Sequence, residues 1–333
     1  MKVKIVKDSE NYHIFNYESG LSINIGDDNL EFSSPKLLDV SITNYCSKNC
    51  KYCYKVSNNN GKHISLNDYE LILIEAQKCG VEQIALGGGN PNQHPRFIEI
   101  LKMTNNYNIV VNYSTNGIGL SDEILFATQK YCGSIALSLH DDINSYKDII
   151  HKIKQFDICL NLHVILSNSN INLIMDMLKY PPDWIKEIDT IVFLNYKPFI
   201  KDIEECINKS NLLKELFDLI YKFRETNIGF DTCSISYLSN YMSIQKEFLE
   251  YCEAARYSAY ISENLDVLPC SFYGKDNSEK LCNKSLLDIW NNNDLFINHR
   301  KKLKYNNCAN FCDKFNDCHG GCPIYNINNK CKK

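Results

Sequence analysis

The sequence predicts an α/β protein built on a parallel sheet or barrel, followed by a small cysteine-rich unit. Short apolar runs alternate with helix-compatible stretches from about residue 37 to residue 231, which is typical of right-handed βαβ units. Polar side chains recur at the ends of these runs with a period of two. Seven of the eight cysteines from Cys252 to Cys331 follow a spacing typical of metal ligands.

Length and charge limit the classes of function. A chain of 333 residues suffices for one large α/β domain and a smaller module. The net charge of -4 and the lack of a long basic tract disfavour a nucleic-acid partner. No signal peptide and no apolar stretch of membrane-spanning length is recognisable. We therefore expect a soluble, cytoplasmic protein with neither a nucleic-acid nor a membrane partner.

The elements follow from periodicity and turn signals. Residues 1–35 alternate weakly around a turn signal at Gly26 and predict a β-hairpin segment. Ser65 and Asp68 form a capping-box-like start for a helix over 66–79, and a second helix is predicted over 211–224. The predicted domains are 1–35, 36–231 and 232–333. Predicted strands cover 37–43, 83–86, 109–114, 134–139, 158–166, 190–194 and, as a seventh, 228–231.

Polar residues share one face of several otherwise apolar strands. Asn112, Ser114 and Asn116 have the same parity, as do Ser138 and His140. Because the carboxyl ends of parallel strands line the site in barrels, this pattern predicts a polar, ligand-lined mouth. Asn161 and His163 also share one parity, and Asn195 ends another strand, so these three residues are expected at the same polar mouth.

A cysteine triplet lies in the loop that leaves the first main-domain strand. Cys46, Cys50 and Cys53 are spaced x3 and x2, and Tyr52 precedes the third cysteine. Thiolates suit iron–sulfur clusters, and three of them leave one iron of a 4Fe–4S cluster open to a cofactor or substrate. With 16 cysteines and no secretion signal, metal binding is favoured over disulfides. A zinc knuckle and unrelated core cysteines are the alternatives.

The triplet resembles the CxxxCxΦC signature of radical S-adenosylmethionine (radical SAM) enzymes, where Φ is aromatic. The resemblance implies a partial (β/α)6 barrel in which S-adenosylmethionine chelates the uncovered iron through its amino and carboxylate groups. It also implies reductive cleavage to a 5'-deoxyadenosyl radical that abstracts a hydrogen atom from the substrate. An electron donor such as flavodoxin or ferredoxin is implied as a partner.

Further landmarks occur in the order this family shows. "LGGGNPNQHPRF" resembles LTGGEPLLHPDF and places Gly88, Gly89 and Asn90 where Gly-Gly-Glu is usual. The glycines are expected to let the backbone approach the methionyl amino group, and Asn90 to accept a hydrogen bond without charge assistance. "STNG", "ALSLHD", the segment 162–170 and "NYKP" resemble other strand ends. The implied cofactor-binding residues are Tyr52, Gly88, Gly89, Asn90, Asn116, Ser138, His140, His163 and Asn195.

The C-terminal cysteines resemble the SPASM extension of radical enzymes that modify peptides and proteins. Seven cysteines exceed one tetrathiolate site, so two auxiliary 4Fe–4S clusters are expected, with a pair of zinc ribbons as the alternative. Cys233 is the candidate fourth ligand of the first cluster, and a buried free thiol is the other reading of it. The resemblance implies Cys252, Cys270 and Cys322 on the first cluster and Cys308, Cys312, Cys318 and Cys331 on the second.

The resemblance favours maturation of a ribosomally made precursor peptide by a thioether or carbon–carbon cross-link. Epimerisation of a residue is an alternative, with Cys282 as a hydrogen-atom donor. A second alternative reaction is oxidation of Cys or Ser, as in sulfatase maturases. An alternative outside the enzymes is a non-catalytic zinc-binding interaction protein. Residues 1–35 are too short for a complete winged-helix peptide-recognition domain. Leader recognition is therefore expected to be weak, different in kind or supplied by another protein.

Overall fold

The computed structural model describes residues 3–8, 11–26, 31–48, 50, 53–140, 142–198, 203–207, 210–245, 249–305, 308 and 312–325. Two compact units, each built from separate stretches of chain, make up the protein. The first contains residues 1–136, 156–159 and 254–300, and the second contains residues 137–155, 160–253 and 301–333. In the described residues, no helix has both the length and the apolar character needed to span a membrane.

The strands and helices alternate over most of the chain. The strands are β1 (Val3–Asp8), β2 (Asn11–Asn16), β3 (Ser22–Ile25), β4 (Leu37–Thr43), β5 (Gln83–Gly88), β6 (Val110–Thr115), β7 (Cys132–Leu139), β8 (Leu160–Leu166), β9 (Thr190–Asn195), β10 (Asn227–Phe230), β11 (Ser258–Ile261), β12 (Asp266–Leu268) and β13 (Glu279–Lys280). The helices are α1 (Leu66–Cys79), α2 (Phe97–Asn106), α3 (Asp122–Tyr131), α4 (Lys147–Ile153), α5 (Ile171–Lys179), α6 (Ser210–Lys222), α7 (Ile235–Tyr241), α8 (Leu286–Asn292), α9 (Asp294–Lys304) and α10 (Phe315–Cys318).

The N-terminal segment is a three-stranded antiparallel sheet in the order β1-β2-β3, where a single hairpin was predicted. The third strand forms because the side chain of Asn16 closes a turn directly after β2. Its Oδ1 accepts hydrogen bonds from the backbone N–H groups of Glu18 and Ser19, at 2.9 and 3.3 Å. This turn reverses the chain before Ser22 and pairs β3 with β2.

The main sheet of the first unit places β4 at its centre. β5 pairs parallel with one side of β4 and β6 continues beyond β5, while β11 pairs parallel with the other side of β4. Leu38, Val40 and Ile42 of β4 are buried, which fits the apolar face expected of a strand covered by helices. Helix α1 starts where predicted, because the Ser65 hydroxyl accepts from the Asp68 N–H at 3.1 Å.

The second unit contains the parallel strands β8, β9 and β10 in that order. The register pairs Asn161 with Thr190 and Leu166 with Asn195, so β8 and β9 end at the same edge. The alternation of strand and helix predicted for residues 37–231 is thereby confirmed in both units. The domain boundaries predicted at 35/36 and 231/232 remain predictions, since the compact units are discontinuous along the chain.

Candidate active site

The cysteine triplet follows β4 at its carboxyl end, in the first unit. Cys46 is buried, and its backbone N–H donates to the Asn58 carbonyl at 3.1 Å. Its Sγ accepts a hydrogen bond from Asn116 Nδ2 at 3.4 Å. Cys53 Sγ accepts from the Ser57 N–H, also at 3.4 Å. Tyr52, the predicted aromatic contact, lies outside the described residues.

The donor set fits an iron–sulfur cluster by its chemistry. Hydrogen bonds from N–H groups to sulfur accompany and tune cluster ligation, and two of the three cysteines accept such bonds. Throughout the described ranges, no three His, Cys, Asp or Glu side chains stand together as a preformed metal site.

Gly88 and Gly89 end β5 against the start of the cysteine loop. A Cβ on Gly88 would lie 2.1 Å from the Thr43 carbonyl oxygen, and one on Gly89 would lie 2.1 Å from the Tyr45 carbonyl oxygen. Gly88 also has a φ of +109°, which L-residues rarely adopt. The Gly89 N–H donates to the Thr43 carbonyl at 2.7 Å. The two glycines thus let strand and cysteine loop touch through their backbones, a reason that the sequence pattern did not supply.

Asn90 is the centre of a buried hydrogen-bond network. Its side chain is 1% exposed, and its Oδ1 accepts from Thr115 Oγ1 at 3.0 Å and from the Asn116 N–H at 3.1 Å. Its Nδ2 donates to the Ile118 carbonyl at 3.0 Å. The single Thr115 hydroxyl proton is shared with Asn92 Oδ1, which lies 2.6 Å from Thr115 Oγ1, so the Asn116 N–H is the donor that Asn90 Oδ1 does not share. In this structure Asn90 positions the loop that carries Asn116, whose amide contacts Cys46; contact with a methionyl ammonium stays a prediction.

Two predicted residues, Ser138 and His140, lie on or just after β7. The Tyr146 hydroxyl donates to the Ser138 carbonyl at 3.1 Å and accepts from the His140 N–H at 2.9 Å. Ser138 is half-buried and His140 is exposed. Tyr146 thus fixes the backbone at this strand end, and the role of both side chains in binding a cofactor stays a prediction.

His163 and Asn195 lie on β8 and β9 of the second unit, near a charged pair that the sequence analysis missed. Asp231 accepts from the Asn195 N–H at 3.1 Å and forms an ion pair with Lys197 at 3.1 Å. Burial lowers the pKa of His163 to about 4, although Asp231 opposes the shift, so the imidazole is neutral near pH 7. The signal for the pair in the sequence was that Lys197 and Asp231 lie within two residues of the ends of the paired strands β9 and β10.

A second missed group surrounds Glu263 in the first unit. Its Oε2 accepts from Ser41 Oγ at 2.9 Å and pairs with Lys55 at 3.4 Å, and Lys55 also donates to the Tyr260 hydroxyl. Burial raises the pKa of Glu263, but Lys55 and the hydrogen bonds more than offset this and hold it below its usual value. Glu263 borders a polar cavity of about 380 Å³, whose other lining residues are Asn44, Asn58, Asn60, Gly61, Lys62 and Asn264.

The second unit gathers predicted auxiliary ligands into two groups. Burial raises the pKa of the Cys233 thiol well above its usual value; Lys197 opposes this, while Asp231, Cys252 and Cys322 add to it. Because the charges of Cys252 and Cys322 act on the Cys233 thiol, both cysteines lie near it. The other group lines one cavity and comprises Cys308, Cys312 and Cys318, together with Ser236, Ser239, Lys314, Phe315 and Gly320.

Three further cysteines complete the predicted set. Cys270 lies in the first unit shortly after β12, and Cys331 lies outside the described residues. Cys282, the predicted hydrogen-atom donor, is exposed, and its thiol donates to Asn283 Oδ1 at 3.5 Å. Nothing in its surroundings distinguishes it from an ordinary surface thiol.

Comparison with known proteins identifies the class. Residues 40–194 match the radical SAM superfamily. The PqqA peptide cyclase of Bradyrhizobium diazoefficiens is 22% identical over 81% of this chain and 76% of its own length. The mycofactocin maturase MftC of Mycolicibacterium smegmatis is 22% identical over 87% of this chain and 78% of its own length.

Solved structures agree in fold. Streptococcus suis SuiB bound to S-adenosylmethionine superposes with a TM-score of 0.74 at 18% identity, covering 96% of this chain and 94% of that one. anSMEcpe with bound AdoMet and Cp18Cys peptide has a TM-score of 0.60 at 17% identity, covering 86% of this chain and 89% of that one. The likeness confirms the predicted partial (β/α)6 barrel of the radical SAM type.

The cysteine triplet at the end of β4 and the parallel strands around it lie within the matched range, so residues 40–194 form a radical SAM domain, which is an enzymatic domain. A domain of this superfamily implies S-adenosylmethionine and a 4Fe–4S cluster as cofactors. The two relatives described above are, by name, a peptide cyclase and a maturase.

Proposed function

We propose that the protein is a peptide maturase that forms a thioether or carbon–carbon cross-link in a ribosomally made precursor peptide. The observation that carries the proposal is the combination of a radical SAM domain at residues 40–194 with gathered cysteines in the second unit. Relatives that span most of the chain are a peptide cyclase and a maturase, and SuiB has a structure bound to its precursor peptide SuiA. The substrate class of this chain is inferred from these three.

The catalytic cluster would be held by Cys46, Cys50 and Cys53. Loaded with S-adenosylmethionine, this site supplies a carbon radical that removes a hydrogen atom from an unactivated carbon. The protein's own part is to position the cysteine loop. Asn90 holds the loop after β6, and Asn116 on that loop donates to Cys46 Sγ. Gly88 and Gly89 bring β5 against the same loop, so movement of the cysteines is limited on both sides.

Two auxiliary 4Fe–4S clusters complete the proposal, in a SPASM-like region over 232–333. The first would use Cys252, Cys270 and Cys322 with Cys233 as the fourth ligand, and the effect of Cys252 and Cys322 on the Cys233 pKa supports three of the four. The second would use Cys308, Cys312, Cys318 and Cys331, three of which line one cavity. These clusters would accept the electron released when the cross-link forms or bind a substrate thiolate. The external reductant would be a flavodoxin or a ferredoxin.

Anaerobic reconstitution tests the cofactor content. Three 4Fe–4S clusters predict about twelve irons and as many sulfides per chain. Replacement of Cys46, Cys50 and Cys53 by alanine should remove about four irons and abolish 5'-deoxyadenosine formation with dithionite. Replacement of the exposed Cys159 by alanine is the matched control and should change neither value. Wild-type protein that releases no 5'-deoxyadenosine would refute the enzymatic proposal.

Mass spectrometry of the peptide tests the reaction. The enzyme would be co-expressed with each short open reading frame found beside its gene. Loss of two hydrogen atoms supports a cross-link, and fragmentation locates the linked residues. An unchanged mass with deuterium taken up from solvent means epimerisation instead, and conversion of a single Cys or Ser to an aldehyde means oxidation of the sulfatase-maturase kind. Either result would replace the cross-linking proposal.

A further inference from the structure

Ser236 is a buried serine whose hydroxyl has no partner. The residue lies on α7 and is 3% exposed. Among the described residues, its Oγ is one of three buried side-chain polar atoms for which no hydrogen-bond partner is found. An unpaired buried hydroxyl costs free energy, and a group that accepts its hydrogen bond in the functional protein would remove that cost.

The position of Ser236 indicates what that partner is. Ser236 lines the same cavity as Cys308, Cys312 and Cys318, the three described cysteines assigned to the second auxiliary cluster. Sulfur atoms of an iron–sulfur cluster and of its thiolate ligands accept hydrogen bonds, whereas the apolar atoms around a serine do not.

We propose that the Ser236 hydroxyl donates a hydrogen bond to a sulfur of the second auxiliary cluster and thereby raises its reduction potential. The inference rests on the proposed function, because it needs a cluster at these cysteines. A donor stabilises the reduced form more than the oxidised form, since reduction adds negative charge. Ser236 is thus a residue that tunes the cluster, not one of its ligands.

Lys314 is a second residue of this cavity that would raise the reduction potential of the cluster. It lines the cavity, and its Nζ donates to the Ser239 carbonyl at 2.6 Å and to Asn240 Oδ1 at 3.3 Å. These two contacts fix the ammonium group of a residue that lines the cavity. A fixed positive charge near a cluster also favours its reduced, more negative form.

The chain provides a matched control for Ser236. Ser239 is on the same helix and lines the same cavity, but its hydroxyl donates to the Ser236 carbonyl at 3.4 Å. Because that hydroxyl already has an acceptor, Ser239→Ala should leave the cluster potential unchanged. Ser236→Thr keeps the hydroxyl and should behave like the wild type, whereas Ser236→Ala removes it.

The test is a redox titration of the reconstituted full-length protein, followed by electron paramagnetic resonance. The signal of this cluster is the one lost in Cys312→Ala. In Ser236→Ala we expect the reduced form to be destabilised about tenfold relative to the oxidised form, a fall in midpoint potential of about 59 mV for one electron. An unchanged potential in Ser236→Ala, or an equal fall in Ser239→Ala, would overturn the inference.

Two measurements separate this inference from the function on which it rests. If Cys312→Ala loses neither iron nor a signal, the second auxiliary cluster itself is refuted. If the cluster is present and only the Ser236→Ala potential fails to move, the tuning role alone is wrong. In the metal-free protein, Ser236→Ala should melt at the same or a higher temperature, because it removes an unpaired buried hydroxyl. A lower melting temperature there would indicate a purely structural role.

Discussion

Replacing Asn90 with alanine should destabilise the metal-free protein and loosen the cysteine loop. Asn90 makes three hydrogen bonds in the buried network, to Thr115, Asn116 and Ile118. Two of the three partners keep another bond after the substitution. Thr115 Oγ1 still donates to Asn92 Oδ1 at 2.6 Å, and the Ile118 carbonyl still accepts from Asn92 Nδ2 at 2.8 Å. The Asn116 N–H has no second acceptor within the described part of the chain.

The magnitude follows from this count. A buried donor left unpaired costs about 1–3 kcal/mol, and an ordinary lost hydrogen bond about 1 kcal/mol. Asn116 is only half-buried, so water can partly replace the lost acceptor, and the lower half of the first range applies. Asn90→Ala should therefore lower the free energy of unfolding by about 2–3 kcal/mol. Asn92→Ala leaves Asn90 to satisfy both shared partners and should cost about 1 kcal/mol.

Urea denaturation of the metal-free, reduced protein measures both variants, and the difference between them is the informative quantity. We expect Asn90→Ala to be less stable than Asn92→Ala by about 1–2 kcal/mol. Because Asn116 also donates to Cys46, Asn90→Ala should retain less iron after reconstitution than Asn92→Ala. Equal stability of the two variants would refute the reasoning, since it would mean that the hydrogen bond from the Asn116 N–H to Asn90 does not stabilise the fold.

Three other predictions concern single positions. Gly88→Ala forces a Cβ to within 2.1 Å of the Thr43 carbonyl oxygen at a φ of +109°, so it should lower the free energy of unfolding by about 3 kcal/mol or more. The control Gly87→Ala, whose Cβ would have nothing within 4 Å, should lower it by less than about 1 kcal/mol. Comparable losses in the two variants would contradict this geometry. Burial raises the pKa of Asp39 from 3.8 to about 6, so its ionisation opposes folding and stability falls as the pH rises through this interval. Asp39→Asn should therefore stabilise the metal-free protein above pH 6 by up to about 3 kcal/mol and have little effect near pH 4, and a gain that does not depend on pH would argue against this origin. The depressed pKa of His163 predicts that its ring signals in nuclear magnetic resonance keep the chemical shifts of the neutral form down to about pH 5. Stability should be lost as the pH falls from 6.5 towards 4, because the folded protein resists protonation of the ring. A midpoint of the ring titration near pH 6.5 would show that the ring is solvated.

The sequence predicted those elements whose signals are local. Helix α1 over Leu66–Cys79 matched its prediction, because Ser65 and Asp68 mark its start and Gly80 its end. Strand β4 over Leu37–Thr43 matched because a short apolar run ends at the polar cysteine loop. The third strand of the N-terminal sheet was missed, since Asn16 is one of many asparagines and its turn-closing role is visible only in the structure.

Features of the site that depend on distant contacts could not be predicted. The need for glycine at 88 and 89 comes from carbonyl groups of residues 43 and 45, about forty positions earlier in the chain. The buried network of Asn90 and the pair of Lys197 with Asp231 likewise join separate strand ends. Motif spacing predicts which residue types lie near the cofactor, but it could not show which of their hydrogen-bonding atoms are already used within the protein.

The pairing of β4 with β11 has a consequence for how the enzyme is made. Residues 37–40 lie beside residues 258–261, so the sheet of the first unit stays incomplete until most of the polypeptide has left the ribosome. A nascent chain that ends before β11 would present an open edge of β4, and exposed strand edges promote aggregation. Iron loading at Cys46, Cys50 and Cys53 is therefore expected to follow synthesis of β11. A shortened protein without residues 254–300 should fail to yield a stable cluster-binding fragment.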